Sequence, residues 1–354
     1  MKNLMQKLPT RKDLEAWAAE LGFQAIGITD VDLSEHEPHV RAYLAEKLNG
    51  DMGYLERNLE KRLDPAQLEP WTIRIISARM NYLTTEVEPI QVLEDSSKAY
   101  ISRYALGRDY HKVLRKKLAK LAQHIDVQVS GFNYRAFTDS APVLEKALGA
   151  KAGIGWMGKH TLLLDKDAGS WFFLGEIYTD APFPIDENVQ EDLCGKCTAC
   201  MTVCPTDAIV APQKLDARKC IAYLTIEHKG SIPEKLRPKI GNRVFGCDDC
   251  QIFCPWNREA PTTSETDFHP RHGLEDPDLI SLFKLSEAEF LTMTEGSAIR
   301  RINHEQWQRN LAVGLGNGPS SDAALQALGE VRQHATPMVV EHIDWALSRL
   351  SSQV

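Results

Sequence analysis

All eight cysteines of this 354-residue chain lie between Cys194 and Cys254, and their spacing limits its possible folds more than any other feature. One run reads Cys194-x-x-Cys197-x-x-Cys200-x-x-x-Cys204-Pro205. A second reads Cys247-x-x-Cys250-x-x-x-Cys254-Pro255, with Cys220 alone between them. This is the spacing of bacterial two-cluster ferredoxins, in which each run gives three thiolates to one [4Fe-4S] cubane and its last cysteine, before proline, to the other. The second run lacks a leading cysteine, and Cys220 is the one left to replace it. Cys194, Cys197, Cys200 and Cys254 then hold one cluster, and Cys204, Cys220, Cys247 and Cys250 the other. Two zinc ions would also use eight thiolates, but zinc explains neither the x2-x2-x3 spacing nor a proline after both terminal cysteines. Disulfides need an oxidising compartment, and residues 1–10, with Lys2 and Lys7 but no apolar stretch, do not read as an export signal. A cytoplasmic protein that moves electrons is expected.

The chain is far longer than a ferredoxin, so the clusters serve something else, and its length predicts two or three domains. No apolar run approaches the roughly 18 residues that would span a membrane. A net charge of −8 argues against a general nucleic-acid coat. Charge is unevenly placed, however: Lys229, Lys235, Arg237, Lys239 and Arg243 face only Glu234 across fifteen residues. A solvated loop is the plainer reading of that stretch. A rim that docks a phosphate-rich substrate beside the redox centre is the alternative.

Periodicity divides the chain into three zones. Over residues 1–188 an amphipathic helix at Arg11–Leu21 precedes a strand at Phe23–Thr29. Thr72–Leu83, Ile101–Tyr104 and Val127–Val129 read as further strands, and Val113–Ile125 as a helix. Strands alternating with helices predict an α/β domain. Residues 189–260 form the ferredoxin-like zone, with short helices expected after each Cys-Pro. A linker at Ala260–Gly273 leads to an all-α tail over 274–354. There Glu305–Leu315, Ser320–Arg332 and Met338–Leu350 read as stacked helices, a solenoid fragment of the kind that serves as a docking surface.

Three motifs carry candidate chemistry. Gly153-Ile-Gly155-Trp-Met-Gly158 matches the dinucleotide pattern, but a helical segment, Val143–Leu148, precedes it and a strand, Leu162–Leu164, follows, the reverse of what that fold needs. Its glycines mark a close backbone approach, to another segment or to a flat ligand, with Lys159 and His160 beside it. In Thr138-Asp139-Ser140-Ala141-Pro142, Asp139 or Ser140 can cap a helix. Alternatively, Asp139 is a proton donor whose pKa burial raises, so that it keeps its proton near neutral pH. Asp109-Tyr-His111 approaches a corrinoid-ligand signature but has Leu114 in place of its glycine, so His111 reads as a surface histidine at a helix start.

With these residues in view, the chain resembles the epoxyqueuosine reductases over essentially its whole length. Beyond the eight cysteines, the resemblance rests on Gly155-Trp-Met-Gly-Lys-His160, Gly169-Ser-Trp-Phe-Phe-Leu-Gly175, Thr138-Asp-Ser-Ala-Pro142 and Ser102-Arg-Tyr-Ala-Leu-Gly107. It implies an α/β cobalamin-binding domain joined to an α+β two-cluster ferredoxin domain and a HEAT-like tail, in a family related to reductive dehalogenases. It further implies base-off cobalamin with no protein histidine on cobalt and Asp139 as proton donor. Arg62, Ser102, Ser170 and the Met157, Gly158, Lys159, His160 loop would lie along the corrinoid, and Tyr104 and Tyr223 in the pocket. The substrate would be the anticodon stem-loop of a tRNA carrying epoxyqueuosine, gripped by the Lys229–Arg243 stretch. Electrons would come from an external low-potential carrier of the flavodoxin or ferredoxin type, and a monomer is expected. The rivals are a cobalamin-dependent reductase of small halogenated or epoxidised molecules and a non-catalytic electron-transfer module.

Overall fold

The computed structural model describes residues 8–129 and 131–352, so the export-signal reading of residues 1–7 lies outside the described residues. The first helix, Arg11–Glu20, starts at a capping box between Thr10 and Asp13 and buries Leu14 and Ala18. It leads into the strand Ala25–Thr29, the edge of a four-stranded sheet. Next come Arg74–Asn81, then Phe172–Thr179, and Tyr134–Phe137 at the other edge. Every pairing is antiparallel. The α/β expectation therefore needs correction: strands and helices alternate along the chain, but the sheet has none of the parallel crossovers that this alternation usually implies.

Both faces of the sheet are covered, which is why Phe172–Thr179 is buried at every position. On one face lies the helix Tyr110–Gln128, whose Leu114, Leu118, Leu121, Ala122 and Ile125 follow helical spacing into the core. This helix absorbs Val127, so the strand expected at Val127–Val129 does not form. On the other face, Glu145–Lys151 packs so closely that a Cβ on Gly27 would lie 1.9 Å from the Ala152 carbonyl oxygen. The strand expected at Ile101–Tyr104 shrinks to Tyr100–Ile101, followed by a 3-10 turn.

The three zones are welded rather than strung together. Arg243–Phe245, from the cysteine zone, pairs in parallel with Tyr100–Ile101. The tail helices His304–Asn317, Asp322–Arg332 and Pro337–Ser351 match their expected positions. They share one core with Val87, Ala99, Ile101, Val244 and Phe245, however, so the tail is a structural buttress. Arg309, fully buried, donates to the carbonyls of Leu224, His228 and Gly230 and ties the tail to the cysteine zone. The linker is pinned too: Glu265 pairs with Lys117, and Phe268 enters the sheet-domain core. In the cysteine zone the short helices Ala199–Val203 and Asp249–Ile252 precede the Cys-Pro turns, and of the two helices expected after them only a 3-10 turn, Pro255–Asn257, forms at the second.

Candidate active site

A cavity of about 460 Å³ lies between the sheet domain and the cysteine zone. Cys204, Cys220, Cys247 and Cys250 line it, and none of the other four cysteines does. Cys250 lies within electrostatic reach of Cys220 and Cys204, and Cys247 within reach of Cys250. Cys254 feels Cys194, Cys200 and Cys197 in the same way, and shares an apolar cluster with Cys194, Trp156 and Trp256. One group of four cysteines thus lies on the cavity wall, and Cys250 is also within electrostatic reach of Cys200, which does not line it. The Ala208 N–H points at the Cys204 sulfur at 3.3 Å, the kind of amide contact that a cluster uses. Burial pushes the thiols of Cys220, Cys247 and Cys250 above their ordinary range. Iron reverses that preference by binding the thiolates.

The opposite wall carries acid–base groups. Asp139 has a left-handed backbone (φ 53°) and follows the strand Tyr134–Phe137. It caps nothing: the next helix begins at Glu145 and has Leu144, without a side-chain bond, at its cap. The Tyr110 hydroxyl donates to the Asp139 carboxylate, and His111 Nε2 lies 3.1 Å from it. Asp109, which caps the helix Tyr110–Gln128, holds His111 Nδ1 at 2.7 Å. Burial opposes the charge on His111, but the two carboxylates outweigh it and raise its pKa to about 9. Desolvation would raise Asp139 even though its side chain is 55% exposed, yet the hydrogen bonds from His111 and Tyr110 hold it below the ordinary carboxylate range. The expected raised acid is therefore not Asp139: at neutral pH the proton of this pair resides on His111. Nor is His111 the surface residue that its helix-start position implied.

Burial instead raises Glu145, which accepts a hydrogen bond from the Asp139 amide, to about 8. Sequence reasoning singled out Asp109, His111 and Asp139 but missed Glu145 and Glu176. Only the fold shows that they converge.

Other expected site residues divide. Ser102, Tyr104, His160 and Ser170 line the cavity. Ser102 is held by Asp248 at 2.5 Å, and Ser170 by Asn257 and Gln251. His160 Nδ1 accepts the Leu162 N–H, leaving the buried Nε2 without a partner, and burial lowers its pKa to about 4. Met157, Gly158 and Lys159 do not line the cavity. Lys159 donates to the carbonyls of Gly195 and Cys197, and Gln213 binds the Met157 carbonyl, so this loop clasps the cysteine zone. Its glycines approach protein, not a flat ligand: a Cβ on Gly155 would lie 2.2 Å from the Leu164 carbonyl oxygen. Tyr223 is not a lining residue either; its hydroxyl accepts the Asp51 N–H at 2.7 Å.

At the cavity mouth Arg62 and Arg301 both lie against the Tyr54 ring, at 6.0 and 5.7 Å, and Arg301 pairs with Glu227. The Arg62 Nε is buried without a partner. The basic stretch needs correction. Arg237 is buried, pairs with Glu341 and donates to the Ile232 carbonyl, and Arg243 is locked to Asp249 beside Cys247. Lys229, Lys235 and Lys239 remain exposed, Lys239 near Asp207.

Cysteines on one wall of a cavity and acid–base groups on the other are the arrangement of a redox enzyme. Residues 62–140 match the family model described as epoxyqueuosine reductase QueG, DUF1730, and residues 193–257 match a 4Fe-4S double cluster binding domain. The chain is 54% identical, over 98% of its length and 97% of the relative's, to the epoxyqueuosine reductase of Pseudomonas aeruginosa strain PAO1. A crystal structure of an epoxyqueuosine reductase with an epoxyqueuosine-modified tRNA-Tyr stem loop superposes with a TM-score of 0.87 at 29% identity, covering 96% of this chain and 90% of that one. A Bacillus subtilis relative, solved with its catalytic aspartate loop swung out of the active site, gives 0.86 at 29% identity over the same shares. This chain belongs to the epoxyqueuosine reductase family and is an oxidoreductase with a 4Fe-4S cluster-binding domain. No helix among the described residues is long and apolar enough to cross a membrane.

Proposed function

We propose that the chain reduces epoxyqueuosine at the tRNA wobble position to queuosine in the cytoplasm, with two [4Fe-4S] clusters and base-off cobalamin as its cofactors. The observation that carries this reading is that Cys204, Cys220, Cys247 and Cys250 line the same cavity as Asp139. Electrons from an external low-potential carrier would enter at the outer set, where Cys197 is exposed, and leave through the inner set at the cavity wall.

The residues present fit a corrinoid. The apolar wall of Phe172, Phe173, Leu174 and Ile221 suits a flat macrocycle, and its polar rim needs partners. Because His160 Nδ1 accepts a hydrogen bond, the unpartnered Nε2 carries the proton and would be the donor to a rim acceptor of a bound corrinoid. A protonated Nε2 is no ligand for cobalt, and both nitrogens of His111 are engaged by carboxylates. Neither His160 on the cavity wall nor His111 beside Asp139 is free for the metal, which supports the base-off reading. Ser102 and Ser170 lie along the same walls, and Arg62 stands at the mouth. When bound, cobalamin supplies the strongly reducing centre that delivers electrons to the epoxide.

The protein's own contribution is position and protons. His111 holds a proton against Asp139, whose carboxylate faces the cavity and passes it to the oxygen that leaves carbon. The swung-out aspartate loop of the Bacillus subtilis relative supports a similar role for the Asp139 loop here. At the mouth, Arg301 and Arg62 offer positive charge to the backbone of a splayed-out nucleotide. The test is anaerobic reconstitution with iron, sulfide and cobalamin, then mass analysis of nucleosides from tRNA bearing epoxyqueuosine. Loss of one oxygen from that nucleoside supports the proposal, and an unchanged nucleoside with both cofactors loaded refutes it.

A further inference from the structure

Removing an epoxide oxygen as water breaks two C–O bonds, forms one C=C bond, consumes two electrons from the external carrier and places two protons on the same oxygen. Asp139 with His111 accounts for one proton. A second acid on the cavity wall would supply the other.

We propose that Glu145, backed by the buried carboxyl of Glu176, is the second acid of this site and delivers the proton with which the oxygen departs as water. Glu145 lines the cavity, and its Oε1 accepts the Asp139 backbone N–H, so both acids address one point. Glu176 stands behind it on the central strand, opposite Phe137, and is 0% exposed. Among the described residues no donor group and no cation satisfies the Glu176 carboxyl, and its one side-chain hydrogen-bond neighbour is the Glu145 carboxyl. After burial, the group that bears on it most is the Glu145 carboxyl. An ionised carboxylate in that position would be prohibitively costly, so Glu176 is neutral and the pair holds at least one proton at neutral pH. A buried glutamate in the centre of a sheet has no packing rationale. A proton reserve beside an acid is a chemical one.

The groups facing Glu145 are Asp139, His111 and Glu176, with Lys146, Arg62 and Tyr110 within electrostatic reach. Those bearing on Glu176 are Glu145, Asp139 and Tyr178. Glu145 titrates near 8 and His111 near 9, both raised, so the single-turnover rate should be full below pH 8 and fall first as pH passes about 8.

The inference rests on the proposed function and is tested by Glu145→Gln, which keeps an oxygen for the Asp139 amide but has no proton to give. The expected result is a single-turnover rate lowered about 10²-fold or more, with iron content and stem-loop affinity unchanged. The basic limb of the residual rate should move from about 8 toward about 9. Glu145→Asp, which retains an acid, should recover part of the rate. A full rate with the limb near 8 intact in Glu145→Gln would overturn the inference. Failure of the loaded wild-type chain to reduce epoxyqueuosine at all would overturn the proposed function with it.

Discussion

Replacing Asp109 by asparagine isolates the charge that keeps a proton on His111. Asparagine caps a helix as well as aspartate does, so the start of Tyr110–Gln128 survives while one of the two carboxylates against the ring becomes neutral. His111 is raised from 6.5 to about 9 although burial opposes it. That corresponds to about 3 kcal/mol in favour of the imidazolium. With 27% of the side chain exposed, solvent screens part of this, and about 2 kcal/mol is the working figure. Losing one carboxylate should return the histidine titration toward its ordinary range, so that at pH 7.5 a large part of the population lacks the proton. The assay is an NMR titration of the ring beside single-turnover rates across pH. Because the folded-state value is raised, the stability that this ion pair contributes is complete below about 6.5 and vanishes as pH rises through about 9. Variant and parent should therefore differ in urea midpoint at pH 6.5 and converge above 9. An unchanged titration with an unchanged rate profile would refute the idea that Asp109 loads the acid.

Three further outcomes are expected. Cys220→Ser should remove iron and sulfide from the cavity-side set first, leaving about half the iron, as read by metal analysis. Arg309→Leu would leave the carbonyls of Leu224, His228 and Gly230 unpaired in the interior, and should cost about 3–5 kcal/mol in urea unfolding. Arg301→Ala should weaken stem-loop binding and flatten its dependence on log salt by about 0.7–0.9, the signature of one lost phosphate contact, without changing iron content.

Much of the architecture was legible because short-range rules govern it. Helix limits in the tail followed Gly316-Asn317-Gly318 and Pro337, and the observed helices match within a few residues. The strand misread at Val127–Val129 shows the limit of such rules: β-branched residues at a helix end favour a strand locally, but the preceding apolar stripe carries the helix on to Gln128. The basic stretch failed for a different reason. Local charge does not tell a solvated arginine from one that, like Arg237, lies under a helix a hundred residues away.

What the sequence by itself determined is the cysteine chemistry, because ligand spacing is local along the chain and a cubane tolerates few alternatives. Tertiary structure alone decided which groups carry protons. Asp109 with His111, Asp139 with Glu145, and Glu176 come from three stretches of the chain, and their titration depends on burial and on charges that only the packed sheet and its two covering helices bring together. The same packing lowered the expected acid, Asp139, and raised Glu145, six residues further on.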